Sequence, residues 1–177
     1  MSVKVNIWGP DNYVSVKYKG IFDMDGLYRM IYDWFDKRKF ERHEPMIKDR
    51  HPVIGDEDEI LITGFRNDTD FIRVWVVLYI HAYDMNDVEV VKDGKKQKLV
   101  KGRILIRMQA DFELDYEDKW EGSKFQQGLR NFLINYIFDR KIKTYGDKIE
   151  YECHNLQEEM KKHLNMQAKG NQFADMW

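Results

Sequence analysis

The chain has 177 residues, a mass of 21.5 kDa and a hydrophobic fraction of 43%, which implies one domain with its own core and excludes wholesale disorder. Its 29 Lys and Arg residues against 31 Asp and Glu leave a net charge of -2, so no global field draws it to nucleic acid or to an anionic membrane. The longest apolar run, Val74–Ile80, falls far short of the ~20 residues of a membrane span.

Taken in chain order, Val3, Val5 and Ile7 alternate with polar residues, Gly9-Pro10-Asp11-Asn12 supplies turn chemistry, and Tyr13–Tyr18 alternates again. This pattern predicts an N-terminal hairpin. A helix is expected over 24–39, where Leu27, Met30, Ile31, Trp34 and Phe35 make one apolar stripe behind an Asp23 N-cap. From 40 to 115 the period drops to two, predicting strands at 40–48, 59–65, 71–83, 88–92, 95–100 and 103–115. Asp93-Gly94 is the strongest hairpin signal in the chain. Connections this short make the sheet antiparallel. Ser123-Lys124-Phe125-Gln126 has the form of a capping box and opens a helix over 124–140. Gly146 is expected to break the chain before a last helix over 147–165, striped by Ile149, Cys153, Leu156, Met160 and Leu164. The fold expected is α+β: residues 1–166 form one domain, a curved antiparallel sheet of about six to seven strands with three amphipathic helices packed mainly on one face. Residues 167–177 form a tail with an apolar tip.

Phe22-Asp23-Met24-Asp25-Gly26 resembles the first motif of haloacid-dehalogenase-type phosphatases, and Leu61-Ile62-Thr63 is similar to their second. The resemblance implies a nucleophile at Asp23 and an acid/base at Asp25. That motif follows a buried parallel strand, whereas Lys17-Tyr18-Lys19-Gly20 precedes this one, and no helical period appears between 41 and 120. An N-cap followed by an acidic first turn accounts for both aspartates. His43 and His51 lack ligand spacing, and no P-loop, dinucleotide fingerprint or nucleophile elbow is present. The expectation is a protein that is not an enzyme, with no catalytic residues, no cofactor and no metal.

Binding surfaces are the better candidates. The odd positions of strand 71–83 carry Phe71, Arg73, Trp75, Val77, Tyr79, His81 and Tyr83, although a strand facing water should be polar on that side. Arg73, Trp75, Tyr79 and His81 are therefore candidate contact residues; if a helix or the N-terminal hairpin covers the face, Arg73 is expected to pair with an acid such as Glu113. Whether this face is internal core, pocket or interface stays open at this point. Lys95, Lys96 and Lys98, within the basic Lys92–Arg103 hairpin, form a second candidate surface, with nucleic acid the minor reading because aromatic residues are absent there. Phe173 and Trp177 give the tail a docking tip. The function expected is a structural or protein-interaction module that self-associates or binds another protein. The alternative is a small-molecule or lipid-like ligand binder with a helix-grip-type cavity. The lone Cys153 and the absence of an apolar stretch in Met1–Asn6 suit a cytoplasmic setting.

Overall fold

The structure is a computed structural model that describes residues 2–8, 13–52, 55–92, 95–118, 123–132 and 138–166. Its elements are β1 (Val3–Asn6), β2 (Val14–Phe22), α1 (Met24–Lys37), β3 (Glu41–Arg50), β4 (Asp56–Asn67), β5 (Ile72–Lys92), β6 (Lys95–Leu114), α2 (Lys124–Phe132) and α3 (Phe138–His163). Alternation in β5 decides the layering. Ile72, Val74, Val76, Leu78, Ile80 and Ala82 are at most 1% exposed, and the matching even positions of β6 and β4 join them. Leu27, Ile31, Trp34 and Phe35 of α1, with Ile149, Cys153, Leu156 and Met160 of α3, close that inner face. The sheet has six strands, all pairs are antiparallel, and the order is β1-β6-β5-β4-β3. The expected α+β architecture is present.

Local chemistry sets the ends of the elements. The Asp23 carboxylate accepts a 2.9 Å hydrogen bond from the Gly26 N–H, capping α1, and the Ser123 hydroxyl accepts one from Gln126 at 3.2 Å, capping α2. Gly64 lets the helix layer approach β4, since a Cβ there would lie 2.5 Å from Cε1 of the buried Phe35. Beside it, the half-buried Arg66 joins three elements. It pairs with Asp68 at 2.5 Å and Glu152 of α3 at 3.3 Å, and donates to the Arg38 carbonyl at 3.1 Å.

Three expectations need correction. The N-terminal strands do not form a hairpin with each other. Both pair with β6, Val3 opposite Leu114 and Val14 opposite Met108, as one interrupted edge. Pairing this way buries Val16 opposite Ile106 and covers an edge of β6 that would otherwise stay open. Residues 9–12 lie outside the described residues.

Gly146 does not end a helix, because α3 starts at Phe138 and runs through it. A lone glycine costs a helix only about 1 kcal/mol, and Tyr145 and Ile149 on either side pack on the core. α2 and the first residues of α3 fall within the expected 124–140 helix, whose residues 133–137 lie outside the described residues.

The strands at 71–83 and 88–92 are one continuous β5, and those at 95–100 and 103–115 one β6. A bulge between Tyr83 and Asn86, with Asp84 at φ 56°, replaces the expected break. Its extra residue reverses the alternation of β5. Before it the even residues face the helices. After it Val88 and Val90 face the outer side with Leu99.

Candidate interaction surface

The outer face of the sheet is built by register. Phe65 of β4 stands opposite Trp75 of β5, Leu61 opposite Tyr79, and Glu59 opposite His81. On the other side β6 sets Glu113 opposite Arg73, Arg107 opposite Tyr79 and Arg103 opposite Tyr83. All seven odd positions from Phe71 to Tyr83 are half-buried. α1 and α3 do not shield them, because they bury their stripes against the opposite face. Among the described residues, neighbouring side chains of the face itself contact them.

Rings, cations and carboxylates interlock there. The Phe65 and Trp75 ring centroids are 5.1 Å apart. Trp75 Nε1 donates to Glu113 Oε2 at 2.7 Å, and Lys4 Nζ lies 5.1 Å from the Trp75 ring centroid. The Arg73 guanidinium sits 4.7 Å above Phe65 and 4.2 Å above Tyr116, with Nη1 3.9 Å from Glu113 as the sequence led us to expect. Arg103 lies 4.2 Å over Tyr83 and pairs with Asp84. Cations thus lie over several of the ring faces of this surface. Burial raises the Tyr79 phenol above its usual range, and Glu59 adds to the shift. Burial likewise raises Asp111, against the opposing Asn6 hydrogen bond and the Lys4 charge.

His81 has chemistry of its own. Its Nε2 is 2.7 Å from Glu57 Oε1, and one ligand atom each of Glu57, Glu59 and His81 lie within 4.8 Å of one another. That donor set suits a divalent ion, but Glu59 already faces Lys48 at 3.5 Å and Arg50 at 3.8 Å. With two cations on one of its carboxylates, we read the group as an ion-pair network.

The structure therefore brings Arg73, Trp75, Tyr79 and His81 onto one surface. Lys96 and Lys98 lie elsewhere, on the distal half of the β5–β6 hairpin, where they pair with Glu89 at 3.3 Å and Asp87 at 2.8 Å. Lys95 is opposite Lys92 in the same register, its side chain outside the described set. Phe173 and Trp177 lie outside the described residues, as does the rest of the tail. The chain matches no protein-family model and no curated protein. Sequence reading missed Phe65, Glu113's bond to Trp75, Glu57 and Lys4 as members of the face. Alternation placed their strands, but only the pairing register tells which residue faces which. Among the described residues, no helix is long and apolar enough to cross a membrane.

Proposed function

We propose that this chain is a non-enzymatic protein-interaction module that self-associates and buries the outer face of its sheet in doing so. The observation that carries the reading is the Trp75–Tyr79–His81–Tyr83 ladder, half-buried on a central strand with α1 and α3 packed on its other side. Interface cores favour Trp, Tyr and Arg, and this face combines them with charges of both signs. Lys4, Arg73 and Arg107 are interspersed with Glu57, Glu59, Asp111 and Glu113, a mixture that suits a second copy of the same surface. The packed layer beneath α3, where Ile149, Cys153, Leu156 and Met160 are at most 1% exposed, supports an interaction role over a helix-grip cavity.

Sedimentation velocity on the full chain tests the reading. The sedimentation coefficient is expected to rise with concentration, and Trp75→Ala to weaken that rise while circular dichroism stays native. A wild-type chain that remains monomeric into the high micromolar range overturns it.

A further inference from the structure

The β5–β6 hairpin outruns every other strand. β4 stops pairing with β5 at Met85, and β2 stops pairing with β6 at Val100. Beyond those points Val88–Lys92 and Lys95–Leu99 pair, among the described residues, only with each other, an arm of about 17 Å at ~3.4 Å per residue. A two-stranded ribbon alone in water is marginal, and among the described residues no strand pairs with either edge of this one. Its outer side carries Val88, Val90 and Leu99, none of them packed on the core, and Val91 on the other side is 68% exposed.

Charge is split across the base and the tip of this arm. In sequence the tip carries Lys92, Lys95 and Lys96; the backbone sets Lys92 opposite Lys95, and the side chains of both lie outside the described set. The base lies next to the β3–β4 turn, where Asp49 stands opposite Asp58 and Asp56 stands opposite Met85. Carboxylates directly opposite each other repel. His51 lies 3.5 Å from Asp49 and 2.8 Å from Asp56 at this acidic end, and Lys48 and Arg50 reach Glu59 beside them. Burial and the neighbouring Asp49 both raise the Asp58 pKa.

We propose that two copies of this chain join by pairing the open β5 edges of their arms antiparallel across a two-fold axis, each basic tip seated on the other's acidic β3–β4 turn. The inference rests on the self-association part of that reading and names a contact between copies at the sheet edge, separate from the outer face. The geometry follows from where β4 stops. β4 pairs with β5 no further than Asp56 opposite Met85, and an antiparallel β5 edge from a second copy brings its Lys92 level with Asn86, next to Asp56. In that register Val88 faces Val90 of the second copy on the outer side, and Glu89 faces its own equivalent on the axis. Each Glu89 keeps its 3.3 Å pair with Lys96, which offsets the repulsion between the two. The contact is isologous, so it closes at two copies and consumes the exposed edge.

Two measurements on the full chain test it. Under mild oxidation, Glu89→Cys is expected to give a covalent dimer, because residues opposite each other across antiparallel strands lie within disulfide reach. Lys96→Cys, one strand further from the axis, is expected not to. Cys153 does not interfere, being fully buried. Charge reversal supplies the second arm. The pairs Lys92→Glu with Lys95→Glu, and Asp49→Lys with Asp56→Lys, are each expected to weaken the homodimer roughly tenfold or more. Mixing the two variants restores a heterodimer, since both contacts then match again. A wild-type dimer that Trp75→Ala dissociates, while both reversals and Glu89→Cys leave it unaffected, overturns the arm contact and keeps the outer-face reading. A dimer broken by the reversals but not by Trp75→Ala does the opposite. A monomeric wild type overturns both readings, and if it retains a single-stranded oligonucleotide the partner is nucleic acid.

Discussion

The two faces of β5 are made by alternate residues of one strand, yet they are held by different physics. On the inner face Val76, Leu78 and Ile80 are fully buried beneath α1 and α3, and their contribution scales with apolar area removed from water. On the outer face Trp75, Tyr79 and His81 stay half-exposed and are held by directed contacts: Glu113 on the Trp75 indole, Glu57 on His81, and guanidiniums over rings. The inner face is non-directional and tolerates no lost volume. The outer face depends on partners and keeps enough exposed surface to meet another molecule.

The largest effect that sharpens this contrast is expected at Leu78. Leu78→Ala should destabilise the fold by about 2–5 kcal/mol in urea titration, because a fully buried side chain is replaced by a cavity. Gly64→Ala probes the same layer by overpacking. The added methyl would meet the Phe35 ring at 2.5 Å, with an expected loss of about 1–3 kcal/mol in the same assay. On the outer face, Trp75→Phe keeps the ring but deletes the 2.7 Å donor to Glu113. A loss of only ~1 kcal/mol is expected, since the group is partly solvated. A loss as large as that of Leu78→Ala would break the contrast and make the outer face a second core.

The smallest effect concerns Asp58, opposite Asp49 at the end of the sheet. Its folded-state pKa is raised above 3.8 by burial and by Asp49, so the folded protein holds this proton more tightly than the unfolded chain. Stability must then fall as pH rises from 3.8 through the raised value. Asp58→Asn removes that cost. At pH about 7 it should stabilise the protein by less than ~1 kcal/mol after solvent screening, with the gain vanishing as the pH is lowered through the same window. Thermal unfolding at several pH values checks the sign.

Much of the inner face was legible in the sequence. The 3.6-residue stripes of α1 and the C-terminal half of α3, and the period-two runs of β5 and β6, name the buried residues directly. Burial of one face imposes that period regardless of partners. The odd set on β5 was legible as an anomaly for the same reason. Its neighbours were not, because Phe65, Glu57 and Glu113 reach it only through cross-strand register, which no local pattern encodes.

The sequence by itself determined element type, the helix caps at Asp23 and Ser123, the antiparallel pairing of β5 with β6 and the identity of the core. These depend on contacts within a few residues or on simple amphipathic periods. Tertiary structure alone decided that β1 and β2 share the edge of β6, that α3 continues through Gly146, and that β5 reverses its facing at the Asp84 bulge. Each of these is a competition between alternatives of similar local energy. The edge of a long strand, the packing of Tyr145 and Ile149, and the ladder between β5 and β6 settle them only once distant segments are in place.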